Sequence, residues 1–368
     1  MKIGILTLPF NNNYGGYLQA YALLTVLKGV GYDVEIIYRR HNKPSWNELI
    51  IPTCKNLIKK VLGKKVVAII PNREKEFLAK GAEMLQFVNK FIVPRTKPLF
   101  STKILRKYVT GRYDAIIVGS DQVWRPNYVH NIYDFFLTFL SDNTKRIAYA
   151  ASFGTDQPEY SEIEKKVCGR EILKFDMVSV REESAIKVIS RFGWKCRKTP
   201  IQVLDPTMLL SKEHYESLII SEESNAKGKI LTYILDSNEY SQEIVKEISQ
   251  EHRLTSVNIF DCEKWKSKEY IMPSIESWLC SFRDAEFVVT DSFHGTVFSI
   301  IFNKPFVALV NVERGADRFV SLLSQFGLEN QLYSKGRTYQ NVDINWATVN
   351  RKLEKRKSES ISVLKNIE

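Results

Sequence analysis

Short apolar runs, each followed by a polar, glycine-bearing loop and then a helical pattern, recur along the whole chain. That alternation restricts it to an α/β fold. The first run is Ile3 to Leu8, followed by the loop Asn11 to Gly16, a helical pattern from Tyr17 to Gly29 and a second run over Asp33 to Tyr38. This is a βαβ opening. Its loop lies outside the carboxyl end of the first strand and at the start of a helix, where open α/β sheets bind ligands.

The pattern repeats at Asp114 to Val118, which ends in Gly119, Ser120, Asp121, Gln122 and Trp124, and again at Arg146 to Ala150 and Met177 to Val180. Between 42 and 95 it is less regular and lysine-rich, with a long helix expected near Glu74 to Phe91. A boundary is expected at Thr199 and Pro200, after which strand-like patterns restart at Val203 to Thr207 and Lys229 to Leu235. Thr255 to Phe260, a helix over Ser274 to Asp284, Phe287 to Thr290, a helix from Thr296 and Phe306 to Leu309 complete the second half. The expected architecture is two Rossmann-like α/β domains, 1–199 and 200–368, facing a cleft. A charged terminal helix over 346–364 is placed to pack back on the first domain.

A chain of 368 residues has material for two cores. It contains no run of about 18 uncharged apolar residues, and its start enters a strand pattern at once, so a cytoplasmic protein is expected. Five cysteines, Cys54, Cys168, Cys196, Cys262 and Cys280, include no CxxC pair, which offers neither a disulfide framework nor a zinc site. The net charge is +11, but the basic residues are spread among acids and no nucleic-acid-binding motif accompanies them. An anionic small substrate or an anionic membrane surface accounts for the charge as well. Within 55–67, Lys55, Lys59, Lys60, Lys64 and Lys65 alternate with Leu57, Ile58, Val61, Leu62, Val66 and Val67. That segment reads either as a solvated helix on the core or as a peripheral contact with anionic lipid.

His294 follows the run Phe287 to Thr290 and precedes Gly295, so it belongs at a strand's carboxyl end beside a helix N-terminus, a place suited to anions. Arg181 lies just past Met177 to Val180, and its planar guanidinium suits a carboxylate or phosphate. Asp121 sits in a post-strand loop as a cleft carboxylate or a plain turn residue, and Asp291 and Asp205 share that ambiguity. Asn13, Tyr14, Gly15 and Gly16 form a loop able to cradle an anion or approach a sugar, though GxGxxG spacing is absent. Arg314 and Arg318 are spaced four apart, and on a helix they would share a face.

Six segments in order resemble the polysaccharide pyruvyl transferase family. They are Ile3 to Thr7 with Asn13 to Leu23; Asp114 to Trp124; Val178 to Ala185; Val203 to Thr207; Thr290 to Thr296; and Lys304 to Phe306. The resemblance implies a two-domain fold like that of the GT-B glycosyltransferases. It also implies phosphoenolpyruvate as donor, a glycan or lipid-linked oligosaccharide as acceptor, and no required cofactor or metal. Carried onto this chain, it places the donor against Arg181, His294, Arg314, Arg318, Ser292, Gly295 and Thr296, with His294, Asp121 and Asp291 as acid and base. The acceptor side is Asn13, Tyr14, Gly15, Gly16, Gln19, Gln122 and Trp124. A nucleotide-sugar glycosyltransferase of the same architecture is the alternative enzyme, and a non-catalytic polysaccharide- or membrane-surface-binding protein is the other class.

Overall fold

The computed structural model describes residues 1–10, 13–43, 46–63, 78–141, 143–220, 223–260, 270–310 and 316–367. Two parallel sheets carry the fold. The first contains β1 (Lys2–Leu6), β2 (Asp33–Ile36), β3 (Ala115–Val118), β4 (Lys145–Ala151), β5 (Met177–Val180) and β6 (Ile201–Gln202), in the order β2-β1-β3-β4-β5-β6. The second contains β7 (Ile230–Tyr233), β8 (Ser256–Asn258), β9 (Phe287–Thr290), β10 (Phe306–Leu309) and β11 (Leu332–Tyr333), in the order β11-β10-β9-β7-β8. Strands β3, β7, β9 and β10 are buried at every residue. Layers on both faces of a parallel sheet select such continuous apolar runs.

The helices include α1 (Tyr14–Val30), α2 (Trp46–Val61), α3 (Glu183–Arg191), α4 (Phe293–Ile301), α5 (Asp317–Phe326) and α6 (Trp346–Lys365). Helix α1 is buried on nearly every side, because one core runs continuously from the first sheet across it to the second. Tyr14 shows the join: its ring stacks on Trp278 at 5.3 Å and its hydroxyl donates to the Pro273 carbonyl at 2.8 Å. Separate cores cover the far face of each sheet.

Three expectations are corrected. The boundary at 199/200 cuts through the first sheet, since Ile201 and Gln202 pair with Ser179 and Val180. Val203 to Thr207 is not a strand; Pro206–Leu209 forms a 3-10 turn capped by Asp205, because a proline cannot donate to a sheet ladder. Asn13 to Gly16 is not a free loop: Asn13 caps α1, accepting from Gly16 N at 3.4 Å, and Tyr14, Gly15 and Gly16 form the first turn. Of the long helix expected over 74–91, Ala82–Phe91 is helical, and 74–77 lies outside the described residues. Helix α6 lies against the first domain, where Leu204 N donates to Ser360 Oγ at 3.0 Å and the Tyr32 hydroxyl donates to Leu364 O at 3.3 Å. No helix among the described residues is long and apolar enough to cross a membrane.

Candidate active site

The carboxyl ends of both sheets supply the side chains that meet between them. From the first sheet come Thr7 after β1, Ser120 and Asp121 after β3, Arg181 and Glu182 after β5, and Asp205 after β6. From the second come Phe293 and His294, in the first turn of α4, and Arg318 in the first turn of α5. Local sequence explains why each chain end turns so sharply. Gly119 has φ +143°, and a Cβ there would lie 1.9 Å from the Tyr149 carbonyl oxygen, so only glycine fits. Asp121 has φ +72°, a left-handed conformation that aspartate tolerates better than most residues.

Asp205 is the hub. Its Oδ1 accepts from Thr207 N at 3.0 Å and Thr207 Oγ1 at 2.7 Å, and its Oδ2 accepts from Ser120 Oγ and Arg181 Nη1, both at 3.0 Å. His294 Nε2 stands 3.7 Å from the same Oδ2. Burial alone would raise this carboxyl, but His294, Arg181 and Thr207 outweigh it and hold it far below the usual carboxylate range.

Arg181 is 4% exposed and faces three carboxylates: Asp205, Asp121 at 3.5 Å and Glu182 at 3.7 Å. Burial pulls its pKa down, and Asp121, Asp205 and Glu182 more than reverse that. Its guanidinium lies 4.2 Å from the centre of the Phe293 ring, a cation–π contact between the two halves of the site. Glu182 accepts from Phe153 N at 3.1 Å, and burial pushes its carboxyl up against the pull of Arg181. Arg318 approaches the same Phe293 ring at 5.9 Å. Burial, then the like charge of Arg181, push its pKa down to about 10.

His294, 6% exposed, lies where two helix N-termini converge. It belongs to α4, capped by Ser292, which accepts from Gly295 N at 3.3 Å. Helix α1 reaches it from the other domain: a Cβ on Gly15 would sit 1.9 Å from His294 Nδ1. Gly15 is therefore a close-approach glycine, whereas a Cβ on Gly16 meets only Asn13, at 3.7 Å. Backbone N–H groups at both ends bias this space toward negative charge. Buried atoms without a hydrogen bond to another protein group include His294 Nε2, Arg181 Nε and Glu182 Oε2, and buried polar groups of this kind call for a partner.

The structure thus brings together His294, Asp121, Arg181, Arg318, Ser292 and Gly15. Other residues expected at the site serve the scaffold. Asp291 accepts from Leu235 N at 2.7 Å and Asp236 N at 2.8 Å, tying down the loop after β7. Thr296 Oγ1 donates to Ser292 O at 3.2 Å, and Gly295 leaves room for Thr290, whose Oγ1 a Cβ would approach to 2.2 Å. Gln19, wholly buried, donates to Thr7 Oγ1 at 2.7 Å and accepts from Ser120 N at 3.0 Å, fastening α1 to the loops after β1 and β3. Gln122 accepts from Arg125 Nη1 at 3.3 Å, and Trp124, fully buried, donates to Phe135 O at 3.2 Å and stacks on Phe136. Tyr14 is interdomain core, Asn13 is an exposed cap, and Arg314 lies outside the described residues. Among the described residues, no three metal-ligating side chains are grouped to hold an ion.

The sequence reading left Asp205 ambiguous and passed over Glu182 and Ser120. The signal for Asp205 was local, the Asp-Pro-Thr turn that caps itself, and nothing in that turn announces Arg181 or His294.

Solved structures to which the chain is similar include a Listeria monocytogenes protein assigned as a UDP-N-acetylglucosamine 2-epimerase, with TM-score 0.52 and 11% identity. The match covers 100% of this chain and 90% of that one. The UDP-GlcNAc 2-epimerase of Methanocaldococcus jannaschii gives 0.48 at 14% identity, covering 96% and 92%. Escherichia coli ADP-heptose LPS heptosyltransferase II gives 0.37 at 13%, covering 98% and 99%. The first of these bears on the fold alone, which is GT-B-like. Among curated proteins, no sequence matches the chain. The model of one family, described as polysaccharide pyruvyl transferase, matches residues 13–312, a span that runs from the cap of α1 past His294. The chain belongs to the polysaccharide pyruvyl transferase family.

Proposed function

We propose that this protein transfers the enolpyruvyl carbons of phosphoenolpyruvate onto two hydroxyls of a sugar, in a polysaccharide or lipid-linked repeat unit. The product is a cyclic ketal, and phosphate is released. The observation that carries the reading is His294 beside two converging helix N-termini, with Arg318 buried nearby, in a member of this family. A phosphate next to a carboxylate calls for fixed positive groups in a dry site. Arg318, depressed by burial and by Arg181, is stabilised when an anion arrives beside it.

In this scheme His294 gives a proton to the methylene carbon, leaving the phosphate-bearing carbon cationic. One sugar hydroxyl adds there, its proton passing to the Asp121 carboxylate. The bond from carbon to the phosphate oxygen then breaks, with the electron pair leaving on phosphate, which takes up the proton held by Asp121. The second hydroxyl adds, and its proton returns to His294. Asp121 is the base in preference to Asp291, both of whose oxygens already accept backbone N–H groups.

The test is incubation with phosphoenolpyruvate and glycosides of galactose, glucose and N-acetylmannosamine, reading phosphate release and the mass of a pyruvate ketal. Turnover with a uridine or guanosine diphosphate sugar, and none with phosphoenolpyruvate, would overturn the reading in favour of glycosyl transfer.

A further inference from the structure

Helix α2 turns its more apolar side outward. Ile50, Cys54, Leu57, Ile58 and Val61 follow the i, i+4, i+7, i+8 spacing of one helical stripe, with Ile51 and Leu62 at its margin. On the stripe Val61 is 83% exposed and Ile58 59%, and at its margin Ile51 is 64% and Leu62, just past the helix, 67%. Among the described side chains of the helix, the half-buried ones are instead Leu49, Pro52, Thr53 and Asn56. A helix packed on a core presents the reverse arrangement, so the outward stripe is a face made for something else.

The charges say what covers it. Lys55 and Lys60 lie on opposite borders of the stripe and Lys59 on the polar side, all exposed, and Glu48 is the acidic residue in the first turn. Lysines at the borders can keep their ammonium groups at a headgroup layer while the apolar stripe enters the acyl boundary. We infer that α2 is an interfacial anchor, and that its partner is the surface of a bilayer rich in anionic phospholipid. Complementarity of charge favours lipid over a second copy of this chain, whose own α2 would bring like charges together. Residues 64–67, which the sequence reading included in this segment, lie outside the described residues.

The test is flotation of the full chain with vesicles of phosphatidylcholine alone and of phosphatidylcholine mixed with an equal part of phosphatidylglycerol. The parent protein should float with the mixed vesicles, and raised salt should release it. A Lys55→Gln/Lys59→Gln/Lys60→Gln variant should bind them roughly 100-fold more weakly, as three juxtamembrane charges predict. Ile58→Asp/Val61→Asp should lose binding at every salt concentration, with an unchanged melting temperature to show that it is folded. Failure of the parent to float would overturn the inference, as would equal flotation of both variants. So would sedimentation showing a dimer that Ile58→Asp/Val61→Asp dissolves while vesicles stay unbound. Binding is read without turnover, so its failure is separate from any failure of pyruvyl transfer.

Discussion

The residues that the two sheets bring to the site hold their charges differently. On the first-sheet side Arg181 is enclosed by Asp205, Asp121 and Glu182, so its charge is met within the protein. On the second-sheet side His294 and Arg318 stand at the first turns of α4 and α5, with helix N-termini directed at the same space. A guanidinium already satisfied by carboxylates gains little from an arriving anion. One depressed by burial and a like neighbour gains more. The first side therefore reads as the frame that orients, and the second as the side that meets the donor.

The largest effect that would sharpen this contrast is on chemistry. His294→Ala should lower kcat by roughly 100- to 10,000-fold with little change in donor KM, the loss expected for a general acid. Parental kcat in a folded variant would remove His294 from the reaction.

Arg181→Ala should act first on the fold. It leaves Asp205, Asp121 and Glu182 buried without their shared cation, which costs on the order of 3–5 kcal/mol. Denaturant melts of parent and variant give that figure directly. A variant of full stability with a raised donor KM would place Arg181 on the donor side and break the comparison.

Arg318→Ala should act on the donor instead. It should raise the apparent KM for phosphoenolpyruvate by roughly 30- to 150-fold, the loss of a charge-assisted contact worth about 2–3 kcal/mol. Steady-state kinetics with phosphoenolpyruvate varied is the measurement. An unchanged KM would take Arg318 out of donor binding.

The smallest effect is in pH dependence. The Asp205 carboxyl is depressed in the folded protein, so its stabilisation is present above an unfolded pKa of about 3.9 and is lost as pH falls below that value. Glu182 has the opposite sign: its raised pKa makes the ionised form a cost that grows as pH rises above about 4.3. Asp205→Asn should thus destabilise at neutral pH and lose that effect in acid. Glu182→Gln should be nearly neutral or mildly stabilising at pH 7. Parallel melts at pH 7 and at about pH 2 compare the two, and equal costs at pH 7 would erase the distinction.

Much of the frame was readable before any coordinates. Met177–Val180, Phe287–Thr290 and Phe306–Leu309 are strands over the residues expected, and the other runs, Val203 to Thr207 apart, differ only at their ends. His294 and Arg181 fall at strand ends as their neighbours indicated, because an apolar run that stops at a polar residue reports its own burial. Trp124 and Gln19 were misjudged for the same reason in reverse. A polar or aromatic residue in a loop looks available for a ligand, and only packing shows that Trp124 donates to Phe135 and Gln19 bridges Thr7 and Ser120.

Periodicity and glycine placement are local properties. By themselves they determined the strands, the helices and the edge of each sheet where chemistry could occur. Tertiary structure alone decided that Asp205 lies beneath both Arg181 and His294, that Gly15 makes room for a histidine of the other domain, and that Asp291 serves a loop. Each of these joins residues far apart in the chain. Which far residue arrives is set by how the two sheets face one another across a shared core, and no window of neighbouring residues contains that information.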